Sequence, residues 1–562
     1  MLGLLPKLDQ DNATEFSEYG LTTFLNAPKR SRLTSILKQA SLAPFEITAR
    51  SQGNKVFSQW LDGVSLYGAI HQMQTDVPAV DLLEVSLVTG YSRLGASNWR
   101  EALGTEKNGR YGLEASLHGS VFRVSPLATI ASNRPLLRWF LLLLEEKRLT
   151  QEGFFKAGGE LRLLECRQFL LQCGKSAKAT ETYRGNRIIG PEQSTETLAN
   201  ETIAGISRWF MANQDSAGAL PYKYWPSSGT YSTADNPIRR FMASVAFNRL
   251  ANQLDRPDVK VAARRNLEFN LSRFYRVEGR NGLIIWDEKV KLGALAMAGL
   301  AIVESPFAEK WKDELARLSN AIDSLWQPSG AFRTFIYPAD RNDNQNFYPG
   351  EALLFWAISL QQKSDEALLA RALKSFSYYR KHFRKSRNPA FVPWHTQATK
   401  ILYKLTGKTE LRDFIFEMND WLLAHQQWGG SLPKDCWGRF FTPEKPSYGP
   451  PHASATGVYL EGLVDAWALA RELDDAKREA AYNQAIERGI RSLAQLQYRD
   501  EVDTYYISRR ERVMGAIRTE ADNNEIRIDN LQHGLMALLR YQRLSFGNKF
   551  NEGHRQKRQL AS

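Results

Sequence analysis

The side chains in this sequence that could do chemistry stand at the starts of apolar segments. The polar stretch 340–347 runs into Tyr348, Pro349, Gly350 and Glu351 and then into an apolar run. Proline is tolerated in the first turn of a helix because its missing N–H would be unpaired there. A carboxylate such as Glu351 is favoured in the same turn by the helix dipole. With Tyr348 and Asp343 beside it, Glu351 is what the mouth of a central pocket would present. A second cluster is Arg527, Asp529 and His533. Asp529 and His533 are four residues apart and therefore share a helix face. Guanidinium, carboxylate and imidazole together could hold an anionic group or act as acid and base.

Other segment starts carry Arg240, Asp287, Trp394 with His395, and Trp437 with Arg439 and His452. Bond hydrolysis would use two carboxyls, one as general acid and one as base or nucleophile, for which Glu351, Asp529, Asp287 and Asp343 are available. Proton abstraction beside a carbonyl or carboxylate would use His395, His452, His533 or Tyr348, with Arg527 neutralising the developing charge. Each residue also has an ordinary structural use. Asp529 could cap a helix, Glu351 could satisfy first-turn donors, and Tyr348 and Trp394 could be core. An inner rim without a strongly perturbed carboxyl would point to a binding module instead of an enzyme.

Composition sets outer bounds. The 562 residues exceed one ordinary compact domain. A net charge of +13 suits an anionic partner or simply a solvated basic surface. The basic runs 384–387, 509–512 and 554–558 are short and lack interleaved aromatics, so nucleic acid is not expected as a partner. Cys166, Cys173 and Cys436 form neither a disulfide framework nor a metal motif. There is no paired-histidine or oxygen-rich cation loop and no phosphate-cradling glycine loop, so neither metal nor cofactor is expected. The most apolar run, 136–144, contains Arg138 and is about half of the ~20 residues a membrane span needs. No secretory signal is legible at the N-terminus, and a soluble cytoplasmic protein is the expectation.

Stepping along the chain, residues 1–15 read as a flexible start and 16–173 as a small α/β (α+β) domain. Within it, 56–60, 64–70 and 120–124 read as strands, and 82–92, 134–149 and 161–173 as helices. His71 reads as an ordinary strand-end residue. Residues 174–191 read as a linker.

From residue 192 one pattern recurs six times: a turn residue, an apolar pair, then a short polar-aromatic stretch. It begins at Gly218, Gly282, Gly330, Pro389, Gly430 and Gly515. Amphipathic segments precede these turns, at 195–213, 259–275, 307–326, 365–383, 410–427 and 476–497. Segments apolar on most faces follow them, from Ile238, Glu288, Pro349, His395, His452 and Ile528. Six repeated helical hairpins predict either an open solenoid or a closed ring. The count of six, with 195–213 completing the last pair, favours a mainly α chain whose C-terminal part is an (α/α)6 toroid over 192–543. Residues 544–562 read as a disordered basic tail.

In this turn pattern, in the stretch 346–352 and in the stretch 452–462, the chain resembles the six-hairpin glycosidase-like toroids. These include N-acylglucosamine 2-epimerases and the C-terminal domain of D-glucuronyl C5-epimerases. The resemblance implies a carbohydrate-active enzyme whose central pocket processes a sugar or acidic polysaccharide by epimerisation, elimination or hydrolysis. Glu351, Asp529, His533, His452 and Asp343 would then be catalytic. Tyr348, Trp394, His395, Arg527, Arg240, Asp287, Trp437 and Arg439 would bind substrate. The alternative is a non-catalytic glycan- or protein-binding toroid within a polysaccharide-assembly system.

Overall fold

A computed structural model describes residues 43–64, 66, 69, 80–172 and 178–559. The N-terminal part is a seven-stranded antiparallel sheet. Its strands are β1 (Phe45–Ser51), β2 (Asn54–Leu61), β3 (Leu82–Leu94), β4 (Tyr111–Leu117), β5 (Ser120–Val124), β6 (Glu160–Gln172) and β7 (Lys178–Thr182). The order is β2-β1-β3-β6-β4-β5, with β7 on β6. Short helices over Pro126–Ser132 and Leu136–Lys147 pack beside it.

The strands read at 56–60 and 120–124 and the helix read at 134–149 are present. The helices expected at 82–92 and 161–173 are instead the two long strands β3 and β6. Every residue from Leu82 to Val88 is buried. Leu83, Val85 and Leu87 face one apolar cluster, Leu82 joins the core of the C-terminal part, and Glu84 is ion-paired with Arg50. With both faces covered, the alternation that marks a half-exposed strand disappears. Of the strand expected at 64–70, residues 66 and 69 are helical, and 65, 67, 68 and 70 lie outside the described residues. So do 1–42, His71 and Cys173.

The supposed linker is also different. Residues 178–182 are β7, Arg184 is buried, and its Nε donates to Asp435 Oδ2 at 2.7 Å. Residues 179–190 are mostly buried and tie the two parts together, and 174–177 lie outside the described residues.

Twelve helices follow: α1 (Thr195–Asn213), α2 (Pro237–Leu254), α3 (Pro257–Phe274), α4 (Leu292–Val303), α5 (Lys312–Leu325), α6 (Tyr348–Gln362), α7 (Glu366–Lys385), α8 (Val392–Thr406), α9 (Thr409–Leu423), α10 (Ala453–Glu472), α11 (Ala476–Gln495) and α12 (Ile528–Gln559). The even-numbered helices pack in sequence, α2 on α4 and so on to α12, and α12 returns to α2. The odd-numbered helices pack outside them, with α1 against α11 and α12. The closed (α/α)6 toroid is therefore present. The apolar helices are inside because nothing else removes all their faces from water: every residue of α4 is buried. The last helix is continuous through Gln559, so most of the stretch expected to be a disordered tail continues α12.

The turns are of three kinds. Four carry a left-handed glycine pressed against the next outer helix. A Cβ on Gly438 would lie 1.9 Å from the Arg488 carbonyl, and one on Gly515 2.0 Å from that of Gly205. Gly218 and Gly330 sit likewise against α3 and α7. A glutamine before three of these glycines fastens the turn. Gln214, Gln426 and Gln497 each donate to the glycine's carbonyl and also to a carbonyl of the next outer helix, at Ala262, Ala485 and Thr202. The last of these joins the end of α11 to α1 and so closes the outer ring. In the remaining case Trp326 Nε1 donates to Ser375 Oγ at 3.0 Å.

The fifth repeat's turn glycine is thus Gly438, not Gly430, which has open space around it. Gly282 lies in a β-hairpin, and Pro389 begins a 3-10 turn leading directly into α8. The turns also hold the strands β8 (Lys223–Trp225), β9 (Thr230–Tyr231), β10 (Tyr275–Glu278), β11 (Asn281–Trp286), β12 (Lys289–Lys291), β13 (Phe335–Tyr337), β14 (Arg518–Glu520) and β15 (Asn523–Arg527).

Gly438→Ala meets both a strained φ and a backbone clash and should cost about 2 kcal/mol or more. Gly430→Ala meets only the strain, about 1 kcal/mol. The checking measurement is the drop in thermal midpoint, larger for Gly438→Ala.

Candidate active site

All six inner helices start at the same end of the ring, and a cavity of about 480 Å³ opens there. Its wall includes Arg239 of α2, Tyr348 and Glu351 of α6, Trp394 of α8, His452 and Tyr459 at and in α10, and Arg527, Asp529 and His533 at and in α12. The second inner helix, α4, contributes a glycine instead of a side chain. A Cβ on Gly293 would lie 2.1 Å from Glu351 Oε2 and 2.6 Å from the Tyr348 ring. That gap admits the Glu351 carboxyl.

Glu351 is 3% exposed, and its Oε2 has no hydrogen-bond partner. No side chain caps α6, and no hydrogen bond ties the carboxyl to the first-turn amides. Burial with no neighbouring positive charge pushes Glu351 up to about 8, so it is a neutral acid at pH 7. Burial, and then the Glu351 charge when present, also raise the Tyr348 phenol.

Asp529 is the opposite case. Burial raises it, but Arg239 and Arg527 together outweigh burial and hold it below the usual carboxylate range. Arg239 Nε lies 2.9 Å from Oδ2, and Arg527 Nε donates to Oδ1 at 2.5 Å. Both oxygens are engaged. Arg527 Nη2 reaches His452 Nδ1 and Ser454 Oγ, each at 3.3 Å. His452 Nε2 is 3.2 Å from Glu520. Two guanidiniums thus share one carboxylate at the rim.

His533 forms a third unit. Its Nδ1 is 2.7 Å from Oε1 of Glu461, a buried residue of α10. When the neutral ring donates Nδ1–H to that oxygen, Nε2 is left as the acceptor. The Trp394 ring stands 6.0 Å from the imidazole.

Of the residues singled out in the sequence, Tyr348, Glu351, Trp394, His452, Arg527, Asp529 and His533 come together here. The others lie elsewhere. Asp343 is exposed and bound to Arg341. Asp287 is in the exposed turn of the β11–β12 hairpin, paired with Lys289. Arg240 is held by Asp235 and the Leu220 carbonyl. His395 is core, stacked on Phe391 with centroids 3.6 Å apart, and burial holds it neutral. Trp437 lies against Trp428 with their rings tilted, and Arg439 donates to Gln427 Oε1 at 2.8 Å.

Arg239 and Tyr459 also line the cavity, beyond the substrate-binding residues that the resemblance implies. Arg239 and Arg240 are neighbours in sequence, and only the rotation of α2 decides which faces inward. Among the described residues no group of three or more His, Cys, Asp or Glu is placed to hold a metal ion. No helix among them is long and apolar enough to cross a membrane.

The N-terminal sheet domain reaches this site through one hairpin. Asn133, left-handed at φ 50°, accepts from the Asn524 amide at 3.0 Å and donates to Asn523 Oδ1 at 3.2 Å. Asn524 Nδ2 donates in turn to the Ile130 carbonyl at 2.9 Å. The gripped hairpin β14–β15 carries Glu520, which meets His452, and Arg527, which meets Asp529.

Together these features define an (α/α)6 toroid of six helical hairpins, with a sheet domain braced against the end where the inner helices start. No protein-family model matches the chain, and no curated protein matches it. Among solved structures, it is similar to the GH76A alpha-1,6-mannanase of Salegentibacter sp. HEL1_6, at 11% identity over 62% of this chain and 100% of that one, with a TM-score of 0.45. It is similar to an unsaturated glucuronyl hydrolase specific for heparin, at 12% identity over 63% and 98%, TM-score 0.46. A third is the cellobiose 2-epimerase of Bacillus thermoamylovorans B4167, at 12% over 61% and 98%, TM-score 0.46.

Two outcomes are expected. Because folding raises the Glu351 carboxyl from about 4.5 to about 8, the native state binds the extra proton between those values. Its contribution is complete below pH 4.5 and is lost as pH rises through 8, at up to ~1.4 kcal/mol per pH unit. Denaturant titrations should show wild type losing more stability than Glu351→Gln between pH 5 and 8. Separately, Asn133→Gly keeps the left-handed backbone but removes both side-chain bonds. Hydrogen exchange at the Asn524 amide should quicken by about tenfold, the equivalent of one lost hydrogen bond.

Proposed function

We propose that the chain is a carbohydrate-active enzyme that moves protons on a sugar bound in this cavity, the chemistry of epimerisation or isomerisation. The observation that supports it most is the pairing of opposite acid–base roles in one cavity. Glu351 is a carboxyl that stays protonated at neutral pH. His533 has its Nδ1 fixed by Glu461, which leaves Nε2 to accept a proton. Groups whose surroundings drive their protonation apart are what acid–base catalysis uses.

In this reading Trp394 and Tyr348 give flat apolar walls for a sugar ring. His533 Nε2 removes the proton beside a carbonyl or carboxylate, and Glu351 protonates the oxygen that gains charge. Arg239 and Arg527 hold an anionic group of the substrate, since together they exceed the single charge of Asp529. The positive ends of the inner helices favour the same sign of ligand.

Hydrolysis by a carboxyl pair is the weaker reading. It needs a free ionised carboxylate opposite the acid. Asp529 is the ionised candidate, and both its oxygens are occupied by arginines. A pure binding toroid is disfavoured by the strongly perturbed Glu351.

The test is a panel of neutral and uronic-acid sugars incubated in D2O, followed by NMR for deuterium at carbon. Wild type should convert at least one sugar with deuterium incorporation, and Glu351→Gln and His533→Gln should each lose ~10²–10⁴-fold in rate. Binding without conversion would return the toroid to a binding module. Release of new reducing ends without deuterium would make it a hydrolase.

A further inference from the structure

A second cavity, of about 780 Å³, opens at the opposite end of the ring, among the C-termini of the inner helices. Its wall is crowded with ion pairs. Arg249 grips Glu304 with two bonds of 2.7 Å. Asp465 is held by Lys400 and Arg540. These cations offset the negative ends of the inner helices, so their presence by itself calls for no ligand.

Glu461 does not fit that account. It is 3% exposed, sits within α10, and belongs to the wall of this far cavity. Its Oε1 meets His533 Nδ1 at 2.7 Å, in the wall of the cavity at the other end. Its Oε2 has no hydrogen-bond partner, and the nearest cation, Arg249 Nη1, is 3.9 Å away. One carboxyl therefore separates the two cavities, with one oxygen bonded toward the substrate end and the other unsatisfied beside the far cavity. A buried polar atom left unpaired is costly, and water in the far cavity would satisfy it.

We infer that Glu461 is a proton relay linking His533 to water in the far cavity. Initially the proton of Glu461 is on Oε2, and Oε1 accepts Nδ1–H. As His533 Nε2 takes a proton from the substrate, the Nδ1 proton passes to Oε1 and the Oε2 proton passes to a far-side water. The imidazole ends neutral with Nε2–H, the carboxyl ends neutral with its proton on Oε1, and the water leaves as hydronium. One proton crosses, and no electron changes hands. The reverse movement resets the site.

The surroundings suit this traffic. Burial raises the Glu461 carboxyl, opposed by the His533 bond and the Arg249 charge, with Glu304 adding to the rise. One helical turn on, Asp465 is driven up by burial but held down at about 2 by Arg540 and Lys400, so it stays ionised and does not compete for the proton. The relay deepens the proposed role of His533 as base and rests on it. It also gives the far opening of the toroid a use that needs no second ligand.

The test needs no substrate, which keeps its failure apart from failure of the sugar reading. In the full chain labelled with 15N-histidine, the exchange rate of the His533 Nδ1 proton with water is measured by NMR saturation transfer. Glu461→Gln keeps an acceptor for Nδ1–H but cannot release a proton, and should slow exchange at least tenfold. Gln361→Trp, on the exposed wall of the far cavity, should slow it severalfold without touching the histidine. Ala455→Trp, which fills the substrate-end cavity, should leave it unchanged. Equal exchange in wild type, Glu461→Gln and Gln361→Trp would overturn the relay. So would slowing by Ala455→Trp alone, because the proton would then leave through the substrate end.

Discussion

The convergence of six helix N-termini on one point is the constraint on which the rest depends. It follows from burial. Helices apolar on every face cannot lie on a surface, so they close into a ring inside a second ring of amphipathic helices. Once they run parallel, their positive ends share one mouth. Anionic groups are favoured there by the summed dipoles, and the two carboxyls that matter, Glu351 and Asp529, both sit in first turns.

The dipole does not decide their protonation. Its effect on a first-turn carboxylate is about 0.3–1 kcal/mol, less than one pKa unit. Full burial can shift a carboxyl by 3–5 units. Glu351 has burial and no cation, and burial wins. Asp529 has burial and two guanidiniums, and the guanidiniums win. Glu461, deeper in the ring, lies between these cases, with a histidine bonded to one oxygen and an arginine at the edge of contact with the other. Three buried carboxyls of the inner helices thus acquire different chemical characters from their partners.

Closure of the ring is secured far from the site. Three glutamine clamps tie their turns to the next outer helix, and one of them, Gln497, ties the last to the first. The sheet domain adds a second constraint by gripping β14–β15 through Asn133. Arg527 and Glu520 ride on that hairpin. Rigidity at the cavity rim therefore draws on residues almost 400 positions away in sequence, as the separation of 391 between Asn133 and Asn524 shows.

The sequence by itself determined the toroid. The alternation of apolar and amphipathic helices is a local property, written in 3.6-residue periodicity and turn glycines, and the count of six implied closure. It also placed Glu351, Asp529 and His533 at inner-helix starts, because position along a helix is local too. Where burial covered both faces of β3 over 82–88 and of β6 over 168–171, the period-two signal was erased and the strands read as helices. Only the tertiary structure decided which neighbour faces inward. Arg239 lines the cavity and Arg240 does not; Trp394 does and His395 does not. A residue step turns a helix by 100°, so adjacent residues are separated by the rotation of a helix against its partners. Charge state was equally out of reach. Whether a carboxyl is neutral or ionised depends on guanidiniums and burial contributed by other repeats, and those meet only when the ring is closed.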